Sequence, residues 1–552
     1  MKTQLDFIQD HEAQRPGDLW LTQPMGNAVV KTYTFKSALD EARRMASYLQ
    51  SLGLPPGSRV AIFSKNTAWW LMADLAIWLA GHVSVPVYPT LTADSIRQIL
   101  VHSEAKLVFV GKLDGFPAME PGLPEGVLRV ALPLAPPVPN ATQWEELITR
   151  HQPLAGRVTR PPDDLATIIY TSGSTGEPKG VMHSFRTMAS GFRFADLAKM
   201  VPGDRLLSYL PLAHVAERGI LETSNFKVGY QVFFAEGLST FLQDLQRARA
   251  TLFGTVPRLW LKFQAGVFTK MPEKKLNRLL AIPLVNRLVK KKVLAGLGLE
   301  RVRWSVTGSA PTPPELLAWY RNLGLAIGEV YGMTENWAVS HIAQPGGNDV
   351  GTVGLPQEGV TCRIAENGEV LVKSPGTMLG YYKNPELTAQ TIDAEGFLHT
   401  GDRGEIDASG RLRITGRVKE LFKTSKGKYV APAPIENQLL ARAELEQACV
   451  SGANQNQPFA LVVLAEHLRK TELIGDAKVQ VTKLLELHLA QLNAKLDPHE
   501  RLEKLIVMRE EWTVDNGMLT PTLKLKRQAI ETRYGPSVSG WFSSAESIIW
   551  VN

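Results

Sequence analysis

The chain has 552 residues, 44% of them hydrophobic and 21% charged. That length exceeds what one core usually serves, so two or more domains are expected, and the composition excludes a disordered or fibrous chain. The 61 basic residues against 54 acidic ones give a formal charge of +7, a mild excess that suits an anionic small ligand or a membrane surface at least as well as nucleic acid.

Apolar runs of strand length alternate with helical patterns through the first four hundred residues. "RVAIF" (59–63), "SVPVYP" (84–89), "KLVFVG" (106–111), "ATIIYT" (166–171), "RLLSYLP" (205–211), "YQVFFA" (230–235) and "ATLFGTVP" (250–257) are the strand candidates. Helical stretches at 36–52 and 93–102 separate some of them. Such alternation predicts an α/β fold with largely parallel sheets, whose strands are buried on both faces. The greasiest stretch, 71–89, is interrupted by Asp74, Gly81, His82, Pro86 and Pro89. It reads as a buried helix, a turn and a strand, not as a membrane span. Near residue 350 the texture changes to short strands with Gly turns, as in "GEVLVKSPGTMLGYY" and "GEIDASGRLRITGR", which predicts a β-subdomain at about 345–415. The division expected is a large domain over 1–417, a small mobile α+β domain over 418–530, and a tail over 531–552.

Two cysteines, Cys362 and Cys449, stand too far apart for a metal or redox motif and point to a reducing, cytoplasmic setting. The N-terminal stretch lacks the apolar core of a signal peptide. No GxSxG elbow, HExxH helix, GxGxxG fingerprint or nucleic-acid motif is present, which leaves hydrolase, metalloprotease, dinucleotide and nucleic-acid readings without support.

The chemistry concentrates in "TIIYTSGSTGEPKGVMHS", 167–184. Glycines let a chain turn tightly around an oxyanion, hydroxyls donate to it, and a lysine adds charge. Here they follow a strand, and the next segment is compatible with a helix, which is the layout of a phosphate-binding loop. The spacing is not that of a Walker loop, so a Ras- or ATPase-type reading loses support.

"YTSGSTGEPKGVMHS" resembles the phosphate-loop signature of the adenylate-forming superfamily. Five further elements follow in that family's order: "SVTGSAP" (305–311), "YGMTEN" (331–336), "HTGDRGEID" (399–407), "GRVKELFKTSKGKYVAPAPIEN" (416–437) and "LTPTLKLKR" (519–527). The resemblance covers about 10–530 and is strongest to long-chain fatty acyl-CoA synthetases, whose corresponding stretch "LSYLPLAHVAERG" (207–219) resembles. It implies that a carboxylate and ATP give an acyl-adenylate and pyrophosphate, and that the acyl group then passes to the thiol of coenzyme A, with Mg²⁺ as cofactor.

The resemblance implies these roles. Thr171, Ser172, Gly173, Ser174, Thr175, Gly176 and Lys179 cradle the phosphates. Thr334 contacts the α-phosphate, and Glu335 with Thr171 holds Mg²⁺. Tyr331 stacks on adenine beside Gly332, and Gly308, Ser309 and Ala310 line the base pocket. Asp402 takes the ribose hydroxyls, Arg417 contacts ribose or phosphate, and Lys419 is the hinge. Counting from Thr522 makes Lys526 the catalytic lysine, with Leu525 where the family usually has glycine; Lys524 is the alternative register. His214 is expected in the acyl pocket or its gate, with "HSFRTMASGFRF" (183–194) and "SNFKVGY" (224–230) as candidate tunnel walls. A fatty-acyl-AMP ligase serving a carrier protein often carries an insertion before the small domain; 351–407 is compact here, which favours coenzyme A. An aryl or medium-chain substrate stays open. An inactive binding relative is disfavoured by Glu335, Asp402 and the lysine motif.

Between Lys270 and Lys292 lie eight basic residues and one acid around "LLAIPLV", a segment expected either to rest on an anionic bilayer at the inner face of a membrane or to be a plain solvated face, with Pro283 breaking the helix. The final "GWFSSAESIIWVN" is expected to dock on the protein itself, on a second subunit in a homodimer, or on a bilayer.

Overall fold

A computed structural model describes residues 1–172, 178–347, 349–442, 444–470, 473–520 and 524–551. One eight-stranded sheet runs in the order Gly380–Tyr381, Pro178–Ser184, Leu165–Ser172, Val83–Val87, Arg59–Phe63, Leu107–Val110, Leu128–Ala131 and Ala141–Gln143. From Leu165–Ser172 onward its neighbours pair parallel. A second layer orders Val29–Thr34, Leu19–Gly26, Gln231–Phe234 and Arg205–Ser208. The Thr251 N–H donates to the Arg205 carbonyl, which leads this layer on to the parallel strands Leu252–Thr255, Trp304–Gly308 and Ile327–Tyr331. All seven strand candidates from the sequence are strands.

Between the layers lies the helix Ala68–Leu79, "AWWLMADLAIWL", with every residue buried. It has no polar face, so only an interior position satisfies it. Trp69, Trp70 and Trp78 belong to the main core, and each such side chain contributes about 2–3 kcal/mol by leaving water. Its one charge, Asp74, meets the equally buried Arg218 at 3.0 Å, and Arg218 reaches Glu222 at 3.3 Å. A buried charge survives only when paired, and this pairing pins the π-helical turn Arg218–Thr223 against the helix.

The segment after the hydroxyl-glycine loop is a strand, not a helix. Pro178–Ser184 pairs antiparallel with Leu165–Ser172, Thr171 facing Lys179, and takes Gly380–Tyr381 on its other edge. Two backbone ladders thus outweigh the helix-compatible composition. Gly180 fits that close stacking, since a Cβ there would fall 2.9 Å from Ile168.

The four strands Thr361–Ile364, Glu369–Lys373, Leu398–Ile406 and Leu412–Arg417 form the β-subdomain as an antiparallel sheet. Beyond it the small domain orders Leu445–Ser451, Phe459–Leu464, Leu505–Met508 and Ile548–Trp550. The last strand corrects the separation of residues 531–552 as a tail. Ile548–Trp550 pairs parallel with Leu505–Met508, the Trp550 indole donates to Thr482 at 3.0 Å, and Trp541 packs near Phe459. Of the docking partners open to the tail, its apolar residues take the protein's own small domain.

The helix pattern 270–292 splits at Pro283 into Glu273–Leu280 and Val285–Gly296. Among the described residues, no helix is long and apolar enough to cross a membrane.

Candidate active site

Strands from both layers, Val83–Val87 and Leu165–Ser172 in the first and Leu252–Thr255, Trp304–Gly308 and Ile327–Tyr331 in the second, end at one cleft of about 3410 Å³, the position at which open α/β sheets place ligands. Thr171, Lys179, His214, Gly308, Ser309, Ala310, Tyr331, Gly332, Thr334, Glu335, Asp402, Arg417, Lys419, Lys524 and Lys526 all line it. Gly173, Ser174, Thr175 and Gly176, with the side chain of Ser172, lie outside the described residues, as does Thr522.

Asp402 is the best-anchored group. The Tyr331 hydroxyl donates to its Oδ2 at 2.7 Å, and the Arg417 Nε lies 2.9 Å from its Oδ1. A carboxylate accepts about four hydrogen bonds, so both oxygens keep capacity for a diol. Tyr331, assigned to adenine stacking by resemblance, therefore also aims this carboxylate. Below it, Gly332 packs against Ala338, where a Cβ would fall 2.6 Å from backbone. Ser309 has φ of 68°, a left-handed conformation that a serine adopts at a cost and that concentrates at functional sites.

Thr334 and Glu335 sit in a short turn, Thr334–Asn336. The Thr334 carbonyl accepts from Nε2 of the buried His183 at 2.7 Å, and the Glu335 Oε1 accepts from the Tyr381 hydroxyl at 2.8 Å. The Lys179 ammonium lies 5.8 Å from the centroid of the same Tyr381 ring. Burial pushes His183 down to about 4, so the ring is neutral; because the carbonyl can only accept, Nε2 carries the proton. Neither His183 nor Tyr381 carries a signal that residue spacing exposes. His183 lies inside the phosphate-loop motif, and Tyr381 sits outside all six motifs, so only the strand pairing Tyr381↔Val181 brings it to the site.

The donor set at Glu335 fits a hard divalent cation held partly by a nucleotide. Glu335 offers one carboxylate, the Thr171 hydroxyl lines the same cleft, and among the described residues no group of three or more His, Cys, Asp or Glu could hold a metal by itself. Mg²⁺ is bound in this way, by one or two protein oxygens together with substrate phosphates.

On the small-domain side, Lys524 is open to the water of the cleft but enclosed by its walls. That enclosure lowers its affinity for a proton, Arg417 adds to the effect, and Asp402, Glu335 and Glu420 oppose it. Its charge is also felt at His214, which burial and then Lys524 push down to about 4. Lys526 lies two residues on, exposed at the head of the helix Arg527–Tyr534. Both lysines are exposed and line the cleft, and the charges of Arg417, Asp402 and Glu335 act on Lys524. Lys419 is exposed in the short turn Val418–Glu420 between the domains.

Behind the nucleotide groups the cleft continues between apolar walls that include Leu91, Ile99, Leu207, Ile220, Leu261 and Phe268. His214 lines it too, its Nδ1 accepting from the Ala216 N–H at 3.1 Å. Two carboxyls on these walls, Glu217 and Glu329, are raised by burial to about 8 and about 7, which lowers the negative charge they carry near neutral pH. The segments 183–194 and 224–230 are not the walls. Phe185, Met188, Phe226 and Tyr230 are spent in the core around Trp78 and Trp337, and helix Pro257–Lys270 supplies the lining instead.

The AMP-binding enzyme family matches residues 8–382, and an AMP-binding enzyme C-terminal domain matches 420–546. The long-chain-fatty-acid–CoA ligase FadD15 of Mycobacterium bovis is 32% identical, over 97% of this chain and 96% of that protein. Long-chain-fatty-acid–CoA ligase 1 of Homo sapiens is 30% identical, over 93% of this chain and 82% of that one. Among solved structures, an anthranilate CoA ligase in complex with anthranoyl-AMP shares the fold with a TM-score of 0.80 at 21% identity, over 98% of each chain. With the motifs meeting in one cleft and both domains matched, the chain belongs to the AMP-binding enzyme family.

Proposed function

We propose that this enzyme is an ATP-dependent fatty acid–CoA ligase acting on a long-chain acid. In the first step a carboxylate oxygen attacks the α-phosphorus of ATP, a P–O bond forms, and the bond to pyrophosphate breaks. In the second, the thiol of coenzyme A attacks the acyl carbon, AMP leaves, and the thiol proton passes to solvent.

The observation that carries this reading is the convergence of Lys524, Asp402 and Glu335 at the head of an apolar-walled cleft. Joining two anions requires fixed positive charge and alignment more than covalent help. Lys524, on which the charges of Arg417, Asp402 and Glu335 act, would bridge the carboxylate and the α-phosphate, with Lys526 as the alternative. Asp402, aimed by Tyr331 and Arg417, would hold the ribose, and Lys179 would face the departing pyrophosphate. Thr334, held through its carbonyl by His183, would donate to the α-phosphate. Glu335 and Thr171 would hold Mg²⁺, which supplies charge neutralisation at the phosphates when bound. Rotation at Lys419 would then withdraw Lys524 and clear the face for coenzyme A. The relatives named as long-chain ligases support the choice of acid, and such an acid would be collected at the inner face of a membrane.

The test is a panel of carboxylic acids from acetate to C18, scored by AMP release with and without coenzyme A. The reading expects release to depend on the acid, to favour long chains, and to yield thioester only with coenzyme A. Release with short or aryl acids alone would overturn the substrate, and no release with any acid would overturn the reaction.

A further inference from the structure

The hairpin of helices Glu273–Leu280 and Val285–Gly296 carries a surface that catalysis does not use. Its inner face is ordinary: Leu276 and Leu280 are buried against the core. Its tip is not. Ile282, Leu284 and Leu288 are 46%, 76% and 72% exposed, and Ala281 and Pro283 beside them are exposed too. Leu284 has φ of 70°, a backbone state that a leucine adopts only at a cost. The fold spends that strain on a turn that leaves leucine in water.

Along the hairpin and at its base stand Lys270, Lys274, Lys275, Arg278, Arg287, Lys290, Lys291 and Lys292, with Glu273 the one acid. Eight basic residues less one acid leave a surplus of seven, equal to the formal +7 of the whole chain. The rest of the molecule is therefore balanced, and its basic character resides here. Among the described residues none of these eight cations forms an ion pair, whereas about half of the lysines and arginines elsewhere do.

Exposed cations alone would suit any polyanion. An exposed apolar tip on a hairpin whose helices carry cations suits an anionic bilayer, because the cations meet headgroups while the tip leaves water for the acyl boundary. The hairpin also adjoins the cleft: Phe268, Thr269 and Glu273, at its base, line the cavity. We propose that the turn 281–284 with Leu288 and the lysines and arginines of the hairpin is a docking surface for anionic phospholipid membranes. It sets the wall of the acyl cleft at the interface. The surface stands on its own geometry; its use as the route for a long-chain acid rests on the ligase reading above.

The test uses the full chain with vesicles of phosphatidylcholine alone and of phosphatidylcholine with 30% phosphatidylglycerol, about a third anionic lipid. Three proteins are compared by co-sedimentation at low and high salt: the wild type, I282S/L284S/L288S, and K290E/K291E/K292E. The proposal expects the wild type to pellet with the anionic vesicles at least ten-fold more than with neutral ones, and each variant to lose most of that binding. AMP release from detergent-dispersed acid should stay at the wild-type level in both variants, which shows them folded and tests the ligase reading separately. A wild type that stays in the supernatant with anionic vesicles would overturn the proposal. So would full binding by I282S/L284S/L288S, which would mark the patch as a site for soluble polyanions such as nucleic acid.

Discussion

The two faces of the cleft are built on opposite principles. On the large-domain side three groups are held from behind: Asp402 by Tyr331 and Arg417, Glu335 by Tyr381, and Thr334 by the buried His183. On the small-domain side Lys524 stands at the end of a short segment fastened by the bridge Leu519↔Leu525. That domain meets the large one through an ion pair between Arg258 and Glu446, with Glu446 also held by Arg469 at 2.7 Å. The pair is partly exposed, and such pairs contribute little. On the ligase reading, a preorganised nucleotide site and a weakly latched lysine would suit two successive reactions in one cleft, the first half staying fixed while the second moves.

Removing a preorganised group should therefore cost the most. Asp402→Ala deletes a charged acceptor with two fixed partners, and the KM for ATP is expected to rise about 10- to 100-fold, consistent with about 1.5–3 kcal/mol for hydrogen bonds to a charged group. Isothermal titration with ATP in the absence of acid would show the same loss; unchanged ATP binding would break the comparison at its stronger side. Tyr381→Phe keeps the ring near Lys179 but frees Glu335, and adenylation is expected to fall about ten-fold, the lower end of the same range. Its pyrophosphate release should become more sensitive to low Mg²⁺ concentration.

The buried imidazoles extend the contrast to stability. His183, His214 and His341 are all pushed by burial from 6.5 to about 4. Between those values the unfolded chain binds the protons and the folded one does not. Stability is therefore full above pH 6.5 and falls toward pH 4, by up to about 1.4 kcal/mol per histidine per pH unit. Thermal melts at pH 7 and pH 5 should show this, and His183→Gln should flatten the slope. A pH-independent melting temperature across that interval would contradict the neutral assignment.

The smallest effect belongs to the latch. Arg258→Glu should slow adenylation only about two- to five-fold, in line with less than about 1 kcal/mol for an exposed pair. The swap R258E/E446R should restore part of it, and high salt should mimic the single change. A loss as large as that of Asp402→Ala would mean the small domain is not weakly held after all.

Most of the framework could be read from the sequence, for reasons that differ by region. Strands such as Arg59–Phe63 and Leu107–Val110 are buried on both faces, so their apolar runs are unbroken and flanked by turn residues. Pro178–Ser184 is harder to read, because its strand form comes from partners on both edges, the preceding strand Leu165–Ser172 and the distant Gly380–Tyr381, and the second of these pairings leaves no local mark. The same distance hides Tyr381 from any motif. At the lysine, counting from Thr522 rather than Thr520 shifts the register by two, and "KLK" offers an equally basic residue at either place. Both lysines reach the cleft, so the half-reactions, not the residue pattern, separate Lys524 from Lys526. The final strand Ile548–Trp550 shows the same limit at the terminus: three residues gain strand form from a neighbouring edge, not from their own pattern.

The most direct measurement compares Lys524→Ala with Lys526→Ala in the two half-reactions taken separately. For Lys524→Ala, acid-dependent ATP–pyrophosphate exchange is expected to fall about 10²- to 10³-fold, the loss typical of a removed transition-state charge contact. Transfer from supplied acyl-adenylate to coenzyme A should stay near the wild-type rate, and Lys526→Ala should change either step only slightly. Equal loss of both half-reactions in Lys524→Ala, or loss of exchange in Lys526→Ala alone, would contradict the account.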